Sequence, residues 1–182
     1  MHVDLLRDKS AMFPLAAMPT GVESLCVWHC KYKTLRPIAE LRQLRALKIA
    51  SFPDETLDFL SELKSLEWLS ILHLPKVTSL GPLGQMGNLR SLELNTLPSW
   101  DASRKRTVVD SLRPLAELPN LQHVSLLGVI PEDRSLHDLT VAGKLRTARL
   151  HGFPKDVMAN FFADTAVQNA HLPAHELQGQ TT

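Results

Sequence analysis

The chain has 182 residues, enough for one domain with a substantial apolar core. It carries 20 Lys and Arg against 19 Asp and Glu, so no global basic excess would draw it to nucleic acid or to an anionic membrane. No apolar run approaches the roughly 20 residues of a membrane span, and the first residues lack the pattern of a signal peptide.

The N-terminal residues 1–21 are predicted to form a cap on the domain. The segment at residues 13–22, FPLAAMPTGV, has the pattern of the back half of the repeats that follow it. Val3 and Leu5 are candidates for an earlier strand, because they alternate with polar residues.

From residue 22 onward a phrase of the form L-x-x-L-x-L recurs at near-constant spacing. Its gaps are 22, 22, 23, 32 and 24 residues, and it begins at Val22, Leu44, Leu66, Leu89, Leu121 and Leu145. A period in the low twenties with paired leucines in a short strand is the signature of a leucine-rich repeat solenoid. A second phrase, L-x-x-L-x-x-L, follows most strands and predicts short 3₁₀ or helical turns.

The stretches LRPIAELRQLRALKI, LGPLGQMGNLRSLEL and LRPLAELPNLQHVSL carry a family resemblance. The sequence resembles the leucine-rich repeat family, in the short-repeat type of bacterial internalins and of a regulatory subunit of protein phosphatase-1. The resemblance covers residues 22–153 and implies an α/β horseshoe with a parallel concave sheet of about six strands and short turns on the convex side. We assign six repeats to residues 22–163, an insertion to residues 98–110 and a flexible C-terminal tail to residues 164–182.

The repeats depart from the family where each strand ends. Family members usually place an asparagine there, whose side chain bonds neighbouring backbone. The corresponding residues here are Cys30, Phe52, Leu74, Leu97, Val129 and Phe153. An apolar stack is therefore predicted, and the turn backbone must find its hydrogen bonds elsewhere.

Stacked strands bring equivalent repeat positions into columns on the concave face. The second position alternates in charge over four strands and is predicted to be a solvated ladder of little energetic weight. The seventh position is apolar for a water-facing row and consists of Trp28, Ala50, Leu72, Asn95, Leu127 and His151. Together with Trp68 and His73, this row favours a protein interface. The alternatives are that terminal segments fold over the row, or that Trp28 packs on the N-terminal cap.

The insertion PSWDASRKRTVVD makes the fourth repeat about nine residues longer than its neighbours. It carries Trp100 and the basic run Arg104, Lys105 and Arg106. Such a segment has the chemistry to clamp a partner or to contact a phosphate. The alternative is an ordinary surface loop.

Residue patterns typical of catalysis or metal binding are not found. Gly81, Gly84 and Gly87 follow the three-residue period of the back segment and not a nucleotide fingerprint. His29 and His73 lie two strands apart, roughly 10 Å by the strand spacing, which is too far for one metal ion. We predict no enzyme activity, no metal and no cofactor.

The two cysteines indicate the compartment. Cys26 and Cys30 are four residues apart in a predicted strand, so their Cα atoms lie about 13 Å apart, too far for a disulfide. We therefore predict a cytoplasmic protein in a reducing environment.

The predicted function is a non-catalytic module that binds a protein partner. The partner-binding residues are predicted to be Trp28, Trp68, Leu72, His73, Asn95, Trp100, Arg104, Lys105, Arg106 and Leu127. The alternative is a nucleic-acid or phospholigand binder that uses the basic insertion with Lys144, Arg146 and Arg149. The net charge of +1 argues against nucleic acid.

Overall fold

Each repeat contributes one short strand to a parallel sheet, because its apolar residues alternate over five positions and point to one side. In the computed structural model, which describes residues 1–173 apart from the side chain of Asp101, ten strands occur. In chain order they are β1 (His2–Leu6), β2 (Ser24–Trp28), β3 (Ala46–Ala50), β4 (Trp68–Leu72), β5 (Ser91–Asn95), β6 (Thr107–Val109), β7 (His123–Leu127), β8 (Val129–Pro131), β9 (Thr147–His151) and β10 (Gln168–Asn169).

The main sheet has eight strands in the order β1-β2-β3-β4-β5-β7-β9-β10, and all neighbouring pairs are parallel. Its register is the one that the repeats predict. Leu47 lies opposite Leu69, Leu69 lies opposite Leu92, and all three are completely buried. The prediction of a leucine-rich repeat solenoid is confirmed.

The predicted number of strands, about six, is wrong. The sheet gains β1 from the predicted cap and β10 from the predicted tail. Val3 and Leu5 do form the earlier strand, and each lies opposite an apolar residue of β2. β10 is only two residues long and pairs with Thr147 and Ala148 of β9, a length too short for a recognisable alternation. The division into cap, repeats and tail remains a prediction.

The convex side consists of short turns at the second phrase of each repeat. The 3₁₀ segments are Leu15–Ala17, Arg36–Glu40, Asp58–Glu62 and Gly81–Gln85. Helix α1 (Pro98–Ala102) belongs to the insertion. The later repeats have short helices instead, α2 (Arg113–Ala116) and α3 (His137–Thr140). Side chains join adjacent turns. Asp54, for example, accepts hydrogen bonds from the Thr34 hydroxyl at 2.5 Å and from the Leu35 N–H at 2.8 Å.

The predicted apolar stack is present where the strands end. Cys30 and Leu97 are half-buried, and the other four members, Phe52, Leu74, Val129 and Phe153, are buried. Phe52 also stacks on Phe59, with ring planes 9° apart and centroids separated by 6.0 Å. Apolar packing therefore occupies the position at which family members usually place asparagine.

The turn backbone is satisfied by continuing the sheet ladder one residue beyond each strand. This residue has a left-handed backbone in most repeats, with φ of 52° to 100° at Arg7, His29, Ser51, His73, Gly128 and Gly152. The N–H of Ser51 donates to the carbonyl of Leu72 at 2.8 Å, and that of His73 donates to the carbonyl of Asn95 at 2.6 Å. Main-chain hydrogen bonds therefore satisfy these backbone N–H groups at the strand ends.

The insertion folds against the C-terminal edge of the sheet. Its first half is α1, and its second half is β6, which pairs in parallel with β8 to form a separate two-stranded sheet. The Thr107 N–H donates to the carbonyl of Gly128 at 2.9 Å. Residues 98–110 are therefore structured and lie along the strand ends.

Helix α4 (Lys155–Asp164) covers the far end of the core and buries Phe161. After it the chain adds β10 and continues to residue 173. The remainder of the predicted flexible tail, residues 174–182, lies outside the described residues. Within the described part of the chain, none of the helices has the length and apolar character needed to cross a membrane.

Candidate interaction surface

The third-position column of the concave face is mostly buried. Ser24, Ala46 and Ser91 are at most 6% exposed, and Trp68 between the last two is 7% exposed. The expectation of a water-facing Trp68 is therefore wrong. Trp68 borders a cavity of about 200 Å³ that residues 171–173 also line, so one terminal segment does lie over this part of the face.

A polar network crosses the middle of the sheet. The carboxylate of Glu93 accepts a hydrogen bond from the Ser70 hydroxyl at 2.7 Å and another from the Asn95 amide at 2.7 Å. The Ser125 hydroxyl in turn donates to the Asn95 side-chain oxygen at 3.4 Å. Asn95 is therefore held in a fixed orientation by its neighbours.

Trp28 lies near the N-terminal end of the sheet and is half-buried. The Lys48 ammonium lies 5.0 Å from the centre of its ring, and the His29 ring packs edge-on at 5.3 Å. On its other side Trp28 lies opposite Leu6, which is 61% exposed. Leu6 extends the seventh column, and it was missed because β1 was not counted among the repeats.

The rest of the seventh column is apolar apart from Asn95, which lies between Leu72 and Leu127, and His151 beside Leu127. Ala50 is 1% exposed, whereas Leu72 and Leu127 are half-buried and His151 is exposed. We call Leu6, Trp28, Ala50, Leu72 and Leu127 the edge strip. These residues occupy the last position of their strands, so the edge strip runs along the C-terminal edge of the concave sheet.

The insertion joins the edge strip through one aromatic contact. Trp100 in α1 packs edge-on against His73, with ring centroids 4.7 Å apart and planes at 81°. Nδ1 of His73 is buried and has no hydrogen-bond partner within the described part of the chain. Burial lowers the pKa of His73, and the nearby His29 lowers it further, so the ring is neutral at pH 7.

The three basic residues of the insertion diverge. The Lys105 ammonium lies 5.9 Å from the centre of the Trp100 ring, and Arg104 is exposed. Arg106 instead extends toward β9, where its Nε would lie 2.9 Å from a Cβ added to Gly152. The run therefore spreads over the strand ends and does not form one compact cationic patch.

A groove of about 410 Å³ separates the start of the insertion from β9 and β10. We call it the edge groove, and it is lined by Thr96, Pro98, Leu127, Arg149, Leu150, His151 and Asn169. Of these residues, only Leu127 was predicted to bind a protein partner. Arg149 was predicted only as a contact in the nucleic-acid or phospholigand alternative. The other residues were missed because the groove exists only when the insertion and the last repeats meet.

The second-position column matches the expected solvated ladder. A guanidinium nitrogen of Arg45 lies 2.9 Å from the carboxylate of Glu67, and Arg90 approaches the same carboxylate at 3.9 Å. These side chains are 27% to 60% exposed, so each pair contributes at most about 1 kcal/mol.

The described residues contain no group of three His, Cys, Asp or Glu side chains that could hold a metal ion. Cys26 and Cys30 are both free. Burial, with a smaller contribution from Asp4, raises the pKa of Cys26 to about 11, so this thiol is protonated at pH 7 and a poor nucleophile.

No protein-family model matches the sequence, and no curated protein matches it. Solved structures do match. The structure of internalin C2 from Listeria monocytogenes aligns with 68% of this chain at 23% identity and a TM-score of 0.52. That of internalin F from the same organism aligns with 82% of it at 21% identity and a TM-score of 0.57. The chain has the leucine-rich repeat fold. This leucine-rich repeat chain spans about half the length of the two internalin structures, 49% and 47% respectively.

Proposed function

We propose that this leucine-rich repeat chain is a non-catalytic module that binds a protein partner through its concave sheet and insertion. The observation that carries the proposal is the packing of Trp100 against His73. This contact adds an aromatic side chain of the insertion to the edge strip, so that one surface includes Trp28, Leu72, Trp100 and Leu127. All four are half-buried and have apolar area left to bury against a partner.

The polar groups around the edge strip suit an interface rim. Arg104 and Lys105 lie on the exposed side of the insertion, and Lys48 lies over Trp28. An apolar centre with a charged rim is the usual anatomy of protein interfaces. A rim of this kind favours encounter and orientation more than affinity.

The burial and hydrogen bonding of the Ser70 hydroxyl on the concave face also favour a binding role over catalysis. The hydroxyl of Ser70 is buried and already donates to Glu93 at 2.7 Å, so it is not presented to a substrate as a nucleophile. The compartment that we propose is a reducing cytoplasm, because both cysteines are free thiols.

The proposal can be tested by affinity capture from native extract, with recovered proteins identified by mass spectrometry and then purified for direct binding. The test variant is Leu72→Glu with Trp100→Ala. The matched control is Val141→Glu, which places a carboxylate at an apolar position of the convex side that is 72% exposed.

We expect the double variant to lose the partner and the Val141→Glu control to retain it. Melting curves must show that both variants are folded. Equal recovery of the same partner by the folded double variant and the wild type would exclude this surface as the binding site.

A further inference from the structure

The edge groove is lined by both apolar and basic residues. The apolar ones are Leu127, Leu150 and Pro98, and the basic ones are Arg149 and His151. Arg106 approaches Gly152, the residue that follows His151, but it is not among the residues that line the groove. None of the residues that line the groove is acidic.

Arg149 is held in place without being neutralised. One of its guanidinium nitrogens donates to Nδ1 of His171 at 3.0 Å. Among the side chains that the structure describes, Arg149 forms no ion pair with a carboxylate. Glu93, which lines a cavity together with Arg149, is already bonded to Ser70 and Asn95.

We propose that the edge groove binds an acidic segment of the protein partner, with an apolar side chain against Leu127, Leu150 and Pro98 and a neighbouring carboxylate on Arg149. The inference rests on the proposed function and specifies the chemistry of the partner. Charge complementarity selects the carboxylates, because a guanidinium accepts a carboxylate through two parallel hydrogen bonds. A volume of about 410 Å³ is within the range of small binding pockets and suits one or two side chains.

The geometry favours a peptide over a nucleic acid. A nucleic-acid site needs a basic track that follows several phosphates, together with aromatic faces on which bases stack. Here Lys105 lies toward Trp100, whereas Arg106 extends toward β9. The ring of Trp100 is already packed against His73. The apolar residues that line the groove are aliphatic, which matches an apolar side chain between two acidic residues.

The test uses an acidic hexapeptide, acetyl-Glu-Asp-Leu-Phe-Asp-Glu-amide, titrated into the ¹⁵N-labelled full chain. A first matched peptide replaces every acid by its amide, and a second replaces Leu-Phe by Ser-Ser. We expect the acidic peptide to shift the amide signals of Leu127, Leu150 and Asn169, and both matched peptides to bind at least about tenfold more weakly, because each lacks one of the two features.

Arg149→Gln is the test variant and Arg146→Gln is its control. Both residues belong to the last repeat, but Arg146 lies in the exposed second-position column outside the groove. We expect Arg149→Gln to weaken binding of the acidic peptide by about tenfold, as for loss of a charge-assisted hydrogen bond, and Arg146→Gln to change it less than twofold.

Three results would overturn the inference. These are no binding of the acidic peptide at millimolar concentration, equal binding of its amide analogue, or tighter binding of a single-stranded oligonucleotide than of the peptide. The proposed function has a separate readout. If Arg149→Gln captures the partner as well as wild type does, whereas Leu72→Glu with Trp100→Ala does not, the acidic-segment inference fails and the proposed function stands.

Discussion

The ring of Trp100 meets the imidazole of His73 edge-on, with centroids 4.7 Å apart and planes at 81°. His73 is the first residue beyond β4 and has a left-handed backbone, with φ of 68°. Trp100 belongs to α1 of the insertion. The contact therefore fastens the insertion to the edge of the sheet at a position where the repeat itself turns.

The burial of His73 makes stability depend on pH. The pKa of His73 is lowered in the folded chain, first by burial and then by His29, from an ordinary value of 6.5. The unfolded chain thus binds more protons as the pH falls, and stability is full above about pH 6.5 and declines below it. Burial lowers the pKa of His123 as well, with the same sign. Urea unfolding at pH 7.5 and pH 5.5 should show the loss.

The contribution of His73 can be isolated by substitution. His73→Asn removes the titrating ring and keeps a residue that tolerates a left-handed backbone. Ser51→Asn is the matched control, because Ser51 has the same φ of 68° at the equivalent position. We expect a smaller pH dependence in His73→Asn and an unchanged one in Ser51→Asn. An unchanged pH dependence in both variants would contradict the assignment.

Core leucines in the middle of the stack should be costly to remove. Leu69 and Leu92 are completely buried and lie opposite each other in β4 and β5. Leu69→Ala or Leu92→Ala should lower the free energy of unfolding by about 2–5 kcal/mol, because each leaves a cavity that the stack cannot close. Val141→Ala on the exposed convex side should change it by less than about 0.5 kcal/mol. A near-neutral effect at Leu69 would contradict the register.

Glycine is required where the chain leaves β7. Gly128 has φ of 77°, and a Cβ added there would collide with the hydroxyl oxygen of Thr96. Gly128→Ala should therefore cost about 1–2 kcal/mol from the left-handed backbone alone, with the collision adding to it. Gly87→Ala is the control, because a Cβ there meets no atom within 4 Å. Comparable denaturation midpoints for the two variants would contradict this account of the turn.

The ion pairs of the second-position column should contribute little to the free energy of unfolding. Glu67→Gln removes the partner of Arg45, at 2.9 Å, and should cost about 0.2–1 kcal/mol at low salt and less at 1 M salt, where the Debye length is about 3 Å. Denaturant unfolding at the two salt concentrations measures this. A cost that persists at high salt would show that the pair is not solvated as described.

The repeats and their strand register could be predicted from the sequence, because each repeat carries the same pattern of apolar residues within a few positions. Leu47, Leu69 and Leu92 recur at equal spacing, and equal spacing in stacked strands determines which residues lie opposite one another. The same logic predicted the buried stack of Phe52 and Leu74. Periodicity therefore accounts for the central strands of the main sheet.

Features that depend on contacts between unlike segments could not be predicted in this way. β10 lacks the repeat phrase and exists only because β9 offers an edge. β6 pairs with β8, and neither strand has an alternation of its own beyond three residues. Trp68 occupies a position that should face water, yet it is 7% exposed. The edge groove is missed for the same reason, since it joins Pro98 to Leu150.

The most direct test of the binding surface is photo-crosslinking to the partner recovered by affinity capture. p-Benzoylphenylalanine is placed at Leu127, in the edge strip and edge groove, and separately at Val141 on the convex side, which is 72% exposed. We predict a covalent adduct of chain and partner from position 127 and none from position 141. An adduct from position 141 with none from position 127, in folded protein, would contradict the account.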